Sequence, residues 1–458
     1  MRSAALAKLA AALLLLSARP PVRLSAQQPA TLSPAAMTLD EALRLAAPAS
    51  EAIGIARAQL LRAEAQREQA RAPWLPQLSG SATYTRTFRS QFDALLQTPG
   101  GGNFPLGQRN AWNLNLTAQQ TIWNFRLPGQ TRAAALGAER AKVELSAQEA
   151  QTVLDVTRAY YDALLADRLV AIADSTLRQA ERTLADVELG RKVGTQAEFD
   201  LLRARVARDN AKPAAIANRR QRELAYLRLR QLLNLPADAA PALSSPLIED
   251  SLAAVARPAA DSATADRAPV RQAEQALRQS DALLASAKGE RLPSIGVQSS
   301  FSRVGFGSTV FPSWDRFLTD WFLAVRVDVP LYTGGRLGGG VRAAEASRRE
   351  AALRLRQAQE AAQQDATDAL LALDASEAQW AATSGTVEQA RRAYAIAELR
   401  FREGLSSQTE LTEARLQLQQ ADANRAQAAR DLRVARVRAA LLRDLPLATV
   451  AAASGSGR

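Results

Sequence analysis

Histidine and cysteine are both absent from this 458-residue chain. Their absence removes thiol nucleophiles, disulfides, Cys/His metal clusters and imidazole acid–base chemistry. Catalysis would have to rest on Asp, Glu, Lys, Ser or Tyr. Asp365 and Asp368 stand three apart on an expected helix, a spacing that a solvated helix face explains. No glycine-rich loop leads into a Lys-Ser/Thr pair that could cradle phosphate. No enzyme, cofactor or metal site is therefore expected. Several acids instead sit where they would cap helices. Thr38-x-x-Glu41, Thr195-x-x-Glu198 and Ser407-x-x-Glu410 all have the capping-box spacing.

The elements that would carry these residues are mostly helical. Aromatic residues make up 5% of the chain, and Ala, Leu, Arg and Gln dominate it. The formal charge of +12 comes almost entirely from arginine. These arginines are interleaved with Glu, Asp and Gln, so they read as wet helix faces rather than as a nucleic-acid surface. Residues 1–26 hold Arg2 and Lys8, then the apolar run Leu9–Leu16, then small residues. That is the pattern of a secretory signal peptide, with cleavage after Ala26 and Ala18 as the alternative. No other stretch reaches the ~18–20 apolar residues of a membrane-spanning helix. An exported chain without one can still span a membrane as a closed barrel of strands.

Taken in order, Met37–Arg71 reads as one helix with an apolar stripe of Leu39, Leu43, Ile53, Leu60 and Leu61, ended by Pro73 and Pro76. Leu78–Phe88 and Trp112–Ala118 read as strands around a Gly- and Pro-rich loop, Arg89–Asn110. A long helix, Leu127–Lys192, follows, then a turn at Val193-Gly194-Thr195 and a return helix, Gln196–Asn234. Residues 237–269 lie in a stretch punctuated by prolines and form a linker. The series then repeats over 270–446. It comprises a helix Val270–Arg291, a strand through Val297, Ser299 and Phe301, a loop Arg303–Thr319 and a strand Trp321–Val329. Gly334-Gly335-Arg336 then opens a second long helix, which turns at Glu403-Gly404-Leu405 and returns to Arg443. Residues 447–458 read as a disordered tail.

The first repeat, 37–236, and the second share one register. Arg126 and Arg336, Gly194 and Gly404, Ala204-Arg205 and Ala414-Arg415, and Leu235-Pro236 and Leu445-Pro446 are all 210 apart. The long helices would each reach ~100 Å, and their return helices ~55–58 Å. The short helix preceding each strand pair, stacked on the return helix, would complete the partner column. Ala133–Ala135, Ala343-Ala344 and Ala351-Ala352 would let columns approach closely. Four strands cannot close a barrel, and open edges cannot face lipid. Three chains supply twelve strands and twelve helical columns, enough to close both walls.

Three features together resemble the TolC-type outer membrane efflux protein family. They are the junction Val329-Pro330-Leu331-Tyr332-Thr333-Gly334-Gly335-Arg336, the tip Phe401-Arg402-Glu403-Gly404-Leu405-Ser406-Ser407, and the duplicated hairpin. The resemblance spans about Met37 to Pro446. It implies an α+β membrane protein with an internal tandem repeat. Long helical hairpins would form a periplasmic α-barrel, and each chain would add four strands to a twelve-stranded trimeric barrel in the outer membrane. It implies a passive exit duct of a tripartite efflux or type I secretion system. The implied partners are two further copies of the chain, a periplasmic adaptor, an inner-membrane transporter and outer-membrane lipid, with no nucleic acid. The alternative is an exported helical scaffold without a pore. The first junction, Thr121-Ile122-Trp123-Asn124-Phe125-Arg126, departs from the pattern in lacking Gly-Gly.

The resemblance also implies site residues. Val193, Gly194, Gly404, Leu405 and Ser406 would form the tips that meet the adaptor. Glu410 and Glu413, six and nine residues after Gly404, with Asp200, six after Gly194, would form an acidic ring at the periplasmic entrance. Some relatives lock the closed tip with a Tyr and an Arg reaching the counterpart of Asp200. Here those two positions hold Phe401 and Ser406, so that lock cannot form.

Overall fold

The computed structural model describes residues 37–89, 109–236, 239, 241–248, 266–307, 310 and 317–447. The expected signal peptide, most of the loop 89–110, much of the linker 237–269 and the tail past residue 447 lie outside these residues.

The chain begins with α1 (Leu39–Ala49) and α2 (Glu51–Arg71), where one helix was expected. Pro48 lies inside the first, and the break comes at Ser50, whose extended backbone ends that helix and whose hydroxyl starts the second by accepting a hydrogen bond from the Ile53 amide at 3.3 Å. The break interrupts the expected apolar stripe, and Leu61 is exposed. The Thr38–Glu41 capping box is formed in both directions. Pro73 lies in a single 3-10 turn that ends α2.

β1 (Gln77–Arg86) and β2 (Asn110–Asn124) precede α3 (Arg126–Lys192) and α4 (Glu198–Leu232). The second half repeats the order with α5 (Ala268–Gly289), β3 (Ser294–Gly307), β4 (Phe317–Asp328), α6 (Arg336–Arg402) and α7 (Gln408–Leu441). Both long helices have 67 residues and start 210 positions apart. Gly334 and Gly335 both take positive φ ahead of α6. At the first junction the Asn124 side chain accepts the Arg126 amide at 3.0 Å, and Phe125 stays right-handed, so no glycine is needed there.

The sheet is antiparallel in the order β1-β2-β3-β4. Its strands run further than alternation suggested. Arg303–Gly307 and Phe317–Thr319, expected as loop, are paired strand, with Phe306 and Gly307 pairing with β2 alone. The Phe317 ring lies across Gly305, where a Cβ would come within 2.7 Å of it, so the glycine that suggested a loop is a packing requirement. β2 continues past Ala118 through an irregularity at Thr121–Trp123, which shifts the alternation by one residue.

The helices form a layer. α4, α3, α7 and α6 lie side by side in the half nearer the turns, and α2, α3, α5 and α6 in the half nearer the sheet. The short helices complete the columns as expected. α5 and α7 also pack on α3, which joins the two halves. Gly129 allows that approach, because a Cβ there would lie 2.5 Å from the Ala282 carbonyl on α5. Of the expected close-packing alanines, Ala133 is buried and Ala343 is exposed.

Two polar centres brace the middle of the molecule. The Tyr160 hydroxyl donates to the Met37 carbonyl at 2.8 Å and accepts the Ser245 amide at 3.1 Å. Arg267 is fully buried. Its Nε donates to the Leu442 carbonyl at 3.1 Å and its Nη1 to the Ala362 carbonyl at 3.2 Å. Its Nη2 lies 2.6 Å from Asp365, off the hydrogen-bond direction. Arg438 reaches the same carboxylate at 2.8 Å. Asp365 is thus a largely enclosed anchor, its side chain 12% exposed, rather than part of a wet face, whereas Asp368 is exposed as expected. Arg267→Met should destabilise the fold by about 2–3 kcal/mol, since it strips one partner from a largely enclosed carboxylate and leaves the Leu442 and Ala362 carbonyls without their donor. Thermal melting in detergent would check this. An unchanged midpoint would show that Arg438 alone satisfies Asp365.

Candidate functional site

The two hairpin tips end in the same way. Gly194 has φ +81° and Gly404 has φ +72°. At the second tip the Gly404 amide donates to the Phe401 carbonyl at 3.1 Å and the Leu405 amide to the Arg400 carbonyl at 2.8 Å. At the first, the Gly194 amide reaches the Arg191 carbonyl at 3.1 Å and the Thr195 amide the Gly190 carbonyl at 2.9 Å. This is the Schellman arrangement, and it needs a left-handed residue after the helix. It projects Val193 and Leu405 into solvent, 67% and 70% exposed, while Ser406 is half-buried.

The return helices start differently from each other. Ser407 caps α7, accepting the Glu410 amide at 3.4 Å. The expected Thr195–Glu198 box does not form. Ala197 occupies the cap position of α4, and the Thr195 hydroxyl donates backwards to the Gly190 carbonyl at 3.0 Å. Ion pairs tie each return helix to its long helix, Arg191 to Glu198 and Arg400 to Glu410, both at 3.5 Å. Glu410 is therefore partly offset by a cation of its own hairpin. Glu413 is exposed, with no ion pair among the described residues, and Asp200 is half-buried in the first turn of α4.

Three residues join the hairpins near the tips. Phe401 packs against Leu184, Val187, Leu201 and Ala204 of the first hairpin, and against Tyr394, Ala397 and Leu411 of its own. Gln408 is buried. With its amide nitrogen toward the Asp200 carbonyl at 3.0 Å, its oxygen accepts the Ala204 amide at 3.2 Å. Arg415 is also buried and donates to the Thr183 hydroxyl at 2.9 Å. Beside it lies a cavity of about 450 Å³, lined by Arg182, Asp186, Tyr394, Glu398 and Arg402 among others. Burial, then the Glu398 charge, raises the Tyr394 phenol above its ordinary value, so it stays neutral. An apolar and hydrogen-bonded junction thus stands where the lock with Asp200 was ruled out. Sequence reading missed Gln408 and Arg415. The signal was there: with Leu411 and Leu418 they share one seam at helical spacing, two polar residues on an apolar stripe.

The sheet has two unlike faces. Directly paired residues share a face, and one face carries the rows Leu78–Ala118–Ser299–Leu323, Gly80–Leu116–Phe301–Trp321 and Tyr84–Trp112–Gly305–Phe317. The other carries Gln77–Gln119–Gln298–Ala324, Ser79–Thr117–Ser300–Phe322 and Ser81–Asn115–Ser302–Asp320. Tyr84 and Trp112, rings 5.1 Å apart, mark the distal end of the apolar face, and Trp123 lies opposite Ile295 at the helix end. The ten residue steps from Gly305 to Ile295 span about 34 Å of strand, or about 26 Å along the normal at a ~40° tilt. That matches the ~25 Å apolar band between the aromatic girdles of outer-membrane barrels. Leu323 and Trp321 are 72% and 75% exposed, an arrangement that suits lipid rather than water.

Both edges of the layer are open. β1 and β4 each pair on one side only. α4 leaves Phe199, Leu202 and Val206 exposed at i, i+3 and i+7 spacing, and α6 leaves Ile396 and Leu399 exposed. Both margins of the helical layer thus carry exposed apolar side chains.

Comparisons with known proteins point the same way. The family model described as outer membrane efflux protein matches residues 42–235 and 259–442. The solvent efflux pump outer membrane protein SrpC of Pseudomonas putida is 23% identical over 306 residues, 65% of this chain and 64% of the relative. The chain thus spans slightly under two thirds of that relative's length. The pyoverdine export outer membrane protein OpmQ, also of Pseudomonas putida, is 26% identical over 417 residues, 84% of each chain. Among solved structures, the Campylobacter jejuni CmeC outer membrane channel superposes with a TM-score of 0.77 at 16% identity, covering 90% of this chain and 86% of that one. The last likeness is one of fold.

Proposed function

The chain belongs to the outer membrane efflux protein family, and from that premise we propose that three copies form a passive exit duct across the outer membrane and periplasm. The observation that carries this reading is the two-faced sheet with open edges. Its apolar side has the height of a bilayer core, and it cannot exist in lipid until the edges are paired. Twelve strands from three chains pair them, with the polar side facing the lumen. The edges formed by α4 and α6 close the helical wall in the same step.

In this reading the tips Val193, Gly194, Gly404, Leu405 and Ser406 dock a periplasmic adaptor, which couples the duct to an inner-membrane transporter. Val193 and Leu405 support it, since each is an apolar side chain held out in solvent by a rigid turn. The names of the relatives, solvent efflux and pyoverdine export, favour small molecules as cargo. We place Glu410, Glu413 and Asp200 at the narrow entrance, where carboxylates from three chains would focus a negative potential.

Planar-bilayer recording tests the duct and the entrance together. The wild-type protein should run as a heat-resistant trimer and open cation-selective pores. Glu410→Gln with Glu413→Gln should lower the cation-to-anion permeability ratio severalfold and weaken block by divalent cations. Of the two, Glu413 should matter more, because Arg400 already offsets Glu410. Pores of unchanged selectivity would remove the entrance assignment. A monomer without conductance would remove the duct.

A further inference from the structure

The two helices at the margins of the layer each carry a weak point, and the two weak points lie at nearly the same height. α4 runs through Pro213. Proline has no N–H, so the Asp209 carbonyl lacks its usual helical donor, and the ring crowds that carbonyl. One turn on, the Asn218 side-chain amide donates to the Ala214 carbonyl at 2.8 Å. α6 runs through Thr383-Ser384-Gly385-Thr386. All three hydroxyls turn back onto their own helix. Thr383 donates to the Trp380 carbonyl at 3.0 Å, Ser384 to that of Ala381 at 2.9 Å and Thr386 to that of Ala382 at 3.2 Å. Such bonds compete with the helix ladder, and a Ser-Gly pair among them is a common bending point. Isolated hydroxyls do the same at Thr367 and Ser376, but without a glycine beside them. A Cβ at Gly385 would meet no heavy atom within 4 Å, so packing does not require the glycine.

The heights follow from neighbouring contacts. Arg205 pairs with Glu188 and Arg219 with Asp174, which sets Pro213 opposite Ala180 of α3. Trp380 stacks with Arg425, and Tyr394 packs with Leu411, which sets Gly385 opposite Gln420 of α7. Ala180 and Leu416 line one cavity, so the two breaks are separated by about four residues, or ~6 Å along the axis. Duplication does not explain them. Their counterparts 210 positions away are Ala423 and Ser175, on the inner helices α7 and α3. The breaks therefore belong to the margins and not to the repeated module. Each margin helix is also held just on the sheet side of its break. Asp174 accepts Arg219 at 2.8 Å, and Asp167 accepts both Arg222 and Tyr226 at 2.6 Å. On α6 the Arg425 guanidinium carbon lies 4.2 Å from the centre of the Trp380 ring. On the tip side, α4 borders a cavity of about 280 Å³ whose wall includes Ala173, Ala180, Ala207, Ala211 and Ala214. It leaves α4 room to lean without displacing a large side chain.

We propose that Pro213 and residues 383–386 form a paired hinge, about which the tip-ward ends of α4 and α6 swing at the seam between neighbouring chains. The hinge rests on the duct reading above and deepens it, since it says where the entrance bends. Opening then breaks the tip junction around Phe401 and leaves the Asp167 and Trp380 clamps intact.

The test uses trimers extracted from outer membranes. Wild type, Pro213→Ala/Gly385→Ala and Thr383→Ala/Thr386→Ala are each spin-labelled at one introduced cysteine, Lys192→Cys at the tip or Lys142→Cys in the body. The chain has no cysteine of its own, and both lysines are exposed. Pulsed electron resonance reads the spread of distances between the three labels, and hydrogen exchange reads the backbone. In wild type the tip distances should spread severalfold more widely than the body distances. Amides of residues 209–217 and 383–390 should exchange at least about tenfold faster than those of 219–226. Pro213→Ala/Gly385→Ala puts good helix formers at both breaks, so exchange there should slow at least about tenfold and the tip spread should fall to that of the body. The threonine pair should fall between, and it keeps the test decisive if the first pair does not assemble. Fast exchange at the breaks with a tip spread that neither pair narrows overturns the hinge in favour of local fraying. Slow exchange at both breaks in wild type overturns it outright. Wild type that forms no trimer overturns the duct reading and the hinge together, whereas normal trimers whose tips spread no more than the body overturn the hinge alone.

Discussion

Phe401→Ala should raise the single-channel conductance of the trimer severalfold. Phe401 bridges two apolar clusters, one on each hairpin. Removing a half-buried ring from such a position costs about 2 kcal/mol in lost burial and residual cavity. If the junction exists only when the hairpins lie together, that cost falls on the closed arrangement alone. A shift of about 2 kcal/mol changes the closed-to-open ratio about thirtyfold in each chain. Gln408 and Arg415 hold the same junction by hydrogen bonds, so Arg415→Ala should act in the same direction. Leu405→Ala is the control. That side chain is exposed beyond the junction, so its loss should leave conductance alone and weaken binding to the adaptor. If Phe401→Ala conducts like the wild type, the junction does not hold the entrance.

The second large effect is expected at the sheet. Leu323→Arg places a charge in the middle of the apolar face, two rows inside the Arg303 level. At mid-bilayer this costs about 2–4 kcal/mol per chain, and three chains incur it together. The variant should give no heat-resistant trimer in outer-membrane fractions. Ala324→Arg, one residue on, points to the polar face beside Gln298. It should insert normally and shift ion selectivity toward anions. Equal insertion of both variants would mean that the two faces have been assigned wrongly, or that the sheet does not meet lipid.

Local chemistry fixed much of this molecule. Gly194 and Gly404 mark the only tight turns of the two hairpins among the described residues, because a helix that must reverse sharply needs a left-handed residue. The common spacing of 210 put the two long helices in register to the residue. Alternation placed four strands, though it ended β2 and β3 early and began β4 late. In β2 an irregularity shifted the period, and around Gly305 a glycine that serves the Phe317 ring imitated a loop. Ser50 was the missed break in the first helix, a capping residue visible in the sequence but outweighed by the apolar spacing around it.

The sequence by itself determined the module, its duplication and the absence of thiol and imidazole chemistry, because each depends on residue type or on spacing along one chain. Only the tertiary structure decided which copy of a residue does what. Arg205 and Arg415 stand at equivalent places in the two repeats. Arg205, on the edge helix α4, stays half exposed and pairs with Glu188 at 3.5 Å. Arg415, on α7 between α3 and α6, is buried against Thr183. Asp365 and Asp368 differ in the same way, one enclosed between Arg267 and Arg438 and the other in solvent. The physical reason is that periodicity fixes the face a side chain occupies on its own helix, while the neighbouring column decides whether that face is wet.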